Sequence, residues 1–107
     1  MKSMPSEHYI QDSIRLWCGQ HNYLCFRCNV GKVLTSQNKW FDTGLPSGFS
    51  DLLILGTHGD IYFCEVKSAI GKQKPDQKLF QQSVESRGFK YILAHSLKEF
   101  ISFIENR

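Results

Sequence analysis

The stretch Ile61-Tyr-Phe-Cys-Glu-Val-Lys-Ser68, IYFCEVKS, decides how the rest of the chain is read. It begins as an apolar, β-forming run of the kind found in buried strands, and then Glu65 and Lys67 interrupt it. Residues two apart on a strand face the same way. Glu65 and Lys67 therefore share a face with Ile61 and Phe63, and both charges lie against hydrocarbon. Such burial is costly unless each charge is paired, binds a metal or is used in chemistry.

Working outward, residues 50–56 form a second apolar strand, joined to residues 60–68 through Thr57-His58-Gly59. The register of this pair decides whether Asp51 meets Glu65. A two-residue turn at His58-Gly59 sets Asp51 opposite Val66, places the two acids on opposite faces and forces a positive φ on His58. A three-residue loop, 57–59, needs a left-handed residue only at its last position, where Gly59 stands, and sets Asp51 opposite Glu65. Turn chemistry favours the second register. Opposed side chains on one face have Cβ atoms about 4.5–5.5 Å apart, and two carboxylates at that separation repel unless a positive group lies between them. Lys67 is one candidate. A hard divalent cation such as Mg²⁺, which takes carboxylate, water and phosphate oxygens, is the better one. Lys67 beside it would orient a water and stabilise charge on a phosphate. A purely structural acid–acid–lysine cluster is the alternative.

The remaining pattern predicts a helix over residues 3–22, with Ser3 as cap, Pro5 in the first turn and Ile10, Ile14 and Trp17 as the apolar stripe. Glu7 falls on that stripe, although an acid near a helix N-terminus is equally a dipole partner. Residues 23–35 read as β-rich with a break at Gly31, and 36–49 as a loop punctuated by Gly44, Pro46 and Gly48. Pro75 opens a helix to about residue 87, stopped by Gly88. Gln77 shares its stripe with Phe80 and Val84, an odd place for a polar side chain unless it reaches into a site. Residues 89–95 form a strand, and Ser96-Leu-Lys-Glu99 is a capping box for a last helix. The order α-β-β-β-α-β-α predicts an α/β fold. It is a mixed central sheet flanked by helices, with a right-handed βαβ crossover from 60–68 to 89–95.

At 107 residues, 41% hydrophobic and with 14 aromatic side chains, the chain is read as one domain over residues 1–107. It lacks an apolar run of the ~18 residues a membrane span needs. The opening MKSMPSEHYIQDS turns polar at once, which argues against a signal peptide and for a cytoplasmic protein with reduced thiols. Cys25-Phe-Arg-Cys28 has CxxC spacing, but no second ligand pair follows it, and on a strand its two thiols face opposite ways. Small core side chains are the favoured reading, over a zinc or redox pair. The formal net charge is only +3, yet Lys67, Lys72, Lys74 and Lys78 face one acid, Asp76, within twelve residues. Arg27, Lys32 and Lys39 add to the positive side. A solvated loop explains the lysines taken alone; beside a carboxylate site they read as a phosphate-backbone footprint.

Asp51, fourteen residues before Glu65-Val66-Lys67, resembles the PD-(D/E)xK nuclease motif. The wider series resembles the VRR-NUC (virus-type replication-repair nuclease) family over roughly residues 3–105. It runs Gly48-Phe-Ser-Asp51, Glu65-Val-Lys-Ser68, Gly71-Lys72, Pro75-Asp-Gln77, Phe80 and Arg87-Gly-Phe-Lys-Tyr-Ile92. Ser50 stands where the family often has proline. The resemblance implies a restriction-endonuclease-like core and Mg²⁺- or Mn²⁺-dependent phosphodiester hydrolysis. Its metal ligands would be Asp51, Glu65 and the Val66 carbonyl, with Glu7 as a further metal partner. Lys67 and Gln77 would be catalytic. Lys32, Lys39, Lys72, Lys74 and Lys78 would hold DNA, and Trp40 with Phe41 would either wedge between bases or plug the core. The short chain resembles the stand-alone viral type, which implies a bacteriophage or bacterial origin. It also implies a homodimer that resolves four-way DNA junctions, since a two-fold axis sets two active sites on two opposed strands. Flap or nicking activity on other branched DNA, or DNA binding without cleavage, are the alternatives.

Overall fold

A computed structural model describes residues 4–106. The first helix, α1 (Glu7–Gln20), starts later than expected. Its cap is Ser6, whose hydroxyl accepts from the Tyr9 amide at 3.1 Å, so Pro5 lies before the first turn. Ser3 lies outside the described residues. The buried stripe runs Ile10, Ile14 and Cys18, with Trp17 half-buried beside it.

Strands β1 (Leu24–Arg27), β4 (Leu52–Leu55), β5 (Ile61–Val66) and β6 (Lys90–Ala94) form one mixed sheet in the order β1-β4-β5-β6. The first two pairings are antiparallel. β5 and β6 are parallel and joined through α2 (Pro75–Ser86), as the βαβ reading requires. α3 (Leu97–Glu105) follows, capped by Ser96, whose hydroxyl accepts from the Glu99 amide at 3.1 Å. One sheet face, bearing Ile54, Tyr62, Cys64, Val66 and Ile92, packs on α1 and α3 and forms the main core. The other face meets α2 through an aromatic cluster in which Phe80 contacts Phe49, Phe63 and Tyr91.

The β4–β5 register places Leu55 opposite Ile61 and Leu52 opposite Cys64, so Asp51 falls in line with Glu65. The loop itself differs from expectation, because His58 (φ 63°) and Gly59 (φ 80°) are both left-handed. The two-residue twist is therefore present, with Thr57 taken up as an extra residue before it, and the strands still pair as across three residues. Residues 36–49 are not simply a loop. β3 (Trp40–Asp42) pairs with β2 (Lys32–Leu34) in a separate two-stranded hairpin, closed by a turn in which Asn38 is left-handed. Three-residue strands are too short for a period-2 signal, which is why the pattern did not reveal them. Residues 23–35 accordingly divide at Gly31 (φ 68°) between two sheets.

All four cysteines are free thiols; Cys18 and Cys64 are buried, and Cys25 packs on the core. Cys28 donates to the Phe26 carbonyl. Among the described residues no helix is long and apolar enough to cross a membrane.

Candidate active site

Three chain segments converge at the C-terminal end of β5. Asp51 precedes β4, and Ser50 beneath it is fully buried, its hydroxyl donating to the Leu52 carbonyl at 3.1 Å. One Asp51 carboxylate oxygen accepts from the Val66 amide at 2.7 Å, which ties the acid to the strand that carries Glu65 and Lys67. The backbone of Lys67 continues the parallel ladder, donating to the Ala94 carbonyl at 2.9 Å.

Glu65 is 2% exposed and Lys67 6% exposed, with Lys67 Nζ 3.6 Å from Glu65 Oε2. Gln77 joins them from the first turn of α2. Its Oε1 accepts from the Lys74 amide at 2.8 Å, and its Nε2 donates to Glu65 Oε2 at 2.8 Å. These two partners settle the orientation of the amide, because only the nitrogen can donate to the carboxylate. Gln77 thus closes its own helix end and holds one oxygen of Glu65. The other, Oε1, is buried without a hydrogen-bond partner. A carboxyl oxygen without a donor in a dry site is costly; a proton shared with Asp51 satisfies it in the absence of metal, and a cation bound at the two acids would take the proton's place.

Electrostatics agree. Burial, and then the neighbouring Asp51, push the Glu65 carboxyl up to about 8, while Lys67 pulls it down. Burial also raises Asp51, opposed by the Val66 amide, by Glu65 and by Lys67, with Glu7 adding to the rise. Two carboxyl groups forced together share protons until something more positive replaces them. Glu7 is near enough to act on Asp51 but is itself exposed. Among the described residues no group of three or more His, Cys, Asp or Glu side chains is gathered for a metal. Two carboxylates with water and substrate oxygens are the usual complement for Mg²⁺, so Asp51 and Glu65 fit that ion, and Val66, between Glu65 and Lys67, stands where a backbone oxygen could join them.

Lys72 and Lys74 are exposed on the loop between β5 and α2, and Lys78 is exposed in the first turn of α2, the helix that also carries Gln77. Lys32, Lys39 and Trp40 lie instead on the β2–β3 hairpin, where Trp40 is 70% exposed and plugs nothing. That hairpin is rooted beside the site, since the Cys28 amide donates to the Asp51 carbonyl at 2.8 Å.

The sequence reading missed the supports. Gln73 Nε2 donates to Gln81 Oε1 at 2.9 Å and to the Tyr91 hydroxyl at 3.2 Å, fastening the lysine loop to α2 and β6. Nothing announces these contacts before the parallel pairing sets Tyr91 beside Phe63. Gly48 (φ 92°) is the other support. A Cβ there would stand 2.6 Å from the Asp76 carbonyl oxygen, and next to it the Ser47 hydroxyl donates to the Asp76 carboxylate. The loop bearing Asp51 is thereby pinned to the start of the helix bearing Gln77. Gly48→Ala is expected to cost roughly 3 kcal/mol, from strain and a backbone clash together. Gly59→Ala, also at positive φ but in open space, should cost only about 1 kcal/mol. Urea titrations would check the pair; equal losses would contradict the pinning.

No protein-family model matches this sequence, and no curated protein matches it. Two solved structures do. One, "VRR_NUC domain", is 21% identical with a TM-score of 0.72, covering 95% of this chain and 98% of its own. The other, "VRR_NUC domain protein", is 16% identical with a TM-score of 0.70, covering 96% of this chain and 88% of its own. The α/β architecture found here, a mixed sheet flanked by helices, is therefore the VRR_NUC fold over nearly the whole chain.

Proposed function

We propose that this chain is a VRR-NUC nuclease that hydrolyses phosphodiester bonds in branched DNA with Mg²⁺ or Mn²⁺, most readily as a homodimer on four-way junctions. The observation that carries the reading is the convergence of Asp51 and Glu65 on one face, with Lys67 in contact and Glu65 Oε1 buried and unsatisfied. A divalent cation at the two carboxylates would polarise the phosphoryl group and make a water more acidic. Asp51, Glu65 and the Val66 carbonyl would hold it, with Glu7 as an outer partner.

The chain's own contributions are distinct. Gln77 keeps Glu65 aimed, leaving Oε1 free to face the ion. Lys67, buried and charge-paired with Glu65, presents its ammonium to a non-bridging phosphate oxygen or to the attacking water, where it stabilises charge that grows in the transition state. Lys72, Lys74 and Lys78 hold the backbone on either side of the cut, and Lys32 and Lys39 extend the contact along the hairpin. Phosphate contacts of this kind read shape rather than sequence.

The test is a panel of end-labelled DNAs (linear, flap, splayed and four-way) at one salt concentration, with Mg²⁺, Mn²⁺ or a chelator. Paired cuts across the four-way junction, absent in chelator, are expected. Binding without products under both metals would remove the nuclease reading. Equal cutting of linear duplex would remove the preference for branches.

A further inference from the structure

Among the described residues, two apolar surfaces lack an occupant. The first is the β2–β3 arm, whose strands pair with each other and pack little on the domain. It contributes to a radius of gyration of 14.4 Å, where a compact chain of this length is about 13 Å. On the arm Trp40 stands directly opposite Leu34. Trp40 is 70% exposed, Leu34 53% and Phe41 59%. A lone two-stranded hairpin is marginal in water, so an arm of this composition needs something to lie on.

The second surface is the outer half of the sheet, on the face that α2 covers only at its β5–β6 side. The register aligns Phe26 with Leu53 and Leu24 with Leu55 on that face. Leu24 is 61% exposed and Phe26 49%.

We propose that the arm of one protomer packs on the β1–β4 face of a second copy of this chain, and that the second copy's arm returns the contact across a two-fold axis. This deepens the dimer reading above by assigning its surface, and it is tested without cleavage. Area supports it. Phe41 pairs with Val33 on the arm's other face, so the contact counts Trp40, Leu34, Leu24 and Phe26, which together offer on the order of 500 Å² per protomer. Doubled, and with half-buried Leu53 and Leu55 added, this passes the ~1,000 Å² that a biological interface must clear. Trp40 is the kind of large aromatic that anchors such contacts.

Charge favours a protein partner over DNA for the arm's apolar residues. Lys32 is paired in register with Asp42, which leaves Lys39 as the one cation of β2, β3 and their turn without an opposed acid. Leu34 has no π-face on which a base could stack. Trp40 then serves the second copy, and Lys39 at the turn remains a phosphate contact.

Light scattering on the purified chain is expected to give twice its 12.4 kDa mass. Trp40→Asp and Phe26→Asp should each give monomers that retain the wild-type circular dichroism; if Phe26→Asp does not fold, Leu24→Lys takes its place. The decisive arm mixes the two variants at ten times the concentration at which the wild type is dimeric. Arm-on-face packing leaves one contact intact in the mixed pair, because the Phe26→Asp chain has a sound arm and the Trp40→Asp chain a sound face. A mixed dimer should therefore appear where neither variant dimerises alone. If mixing restores nothing, the arms pair with arms or the faces with faces, and the assignment fails. It fails equally if the wild type is monomeric, including the case in which Trp40→Asp weakens only junction binding and the arm belongs to DNA.

Discussion

Glu65→Gln is expected to lower single-turnover DNA cleavage by at least ~10³-fold, about 4 kcal/mol of transition-state stabilisation, while leaving junction affinity within a few-fold of wild type. The substitution keeps the shape, and a glutamine oxygen at this position can still accept from Gln77 Nε2, now 2.8 Å from Glu65 Oε2. What it removes is half of the anionic pair and the unsatisfied oxygen that faces the proposed ion. Binding rests on the outer lysines and should survive. Cleavage within tenfold of wild type would displace the active site from Glu65. Loss of binding together with cleavage would mean that the side chain holds the fold.

In the absence of divalent metal, stability should fall as pH rises from about 4.5 to 8. The Glu65 carboxyl is pushed up to about 8 in the folded protein, from an ordinary value near 4.5. The folded state therefore holds a proton that the unfolded chain has already released across that window. Below it both states are protonated and there is no penalty; above it the penalty is complete. At about 1.4 kcal/mol per pH unit the ceiling is roughly 5 kcal/mol, and Asp51, raised in the same direction, acts with the same sign. Urea midpoints in chelator at pH 5 and pH 8.5 would measure it. Glu65→Gln should flatten most of the slope and be the more stable protein at pH 8.5. Mg²⁺ should restore stability to the wild type at the alkaline end, because an ion bound only by the folded state stabilises it. A midpoint that climbs with pH in chelator would mean the two acids are not strained against each other.

The site was legible because strand period and turn length are local properties. Glu65 and Lys67 share a face on any strand, and the closing residues at 56 and 60 put Asp51 in line with Glu65. The loop reached that register by a route the turn argument disfavoured, with His58 left-handed, because the twist of the two strands outweighed a modest backbone cost at one exposed residue. Gln77 was recognisable as a polar residue on an apolar stripe, although its second bond, to the Lys74 amide, was not.

Local pattern alone, then, determined the order of the helices and main-sheet strands, the parallel β5–α2–β6 unit and the face shared by the acid and the lysine, since each follows from side-chain spacing along one segment or two neighbours. Tertiary structure alone decided that residues 40–42 pair with 32–34 on a projecting arm, that Gly48 meets the backbone of Asp76, and that half of one sheet face stays bare. Those outcomes depend on which distant segments touch. That choice is made by the total surface the whole chain can bury, a quantity no short window of residues contains.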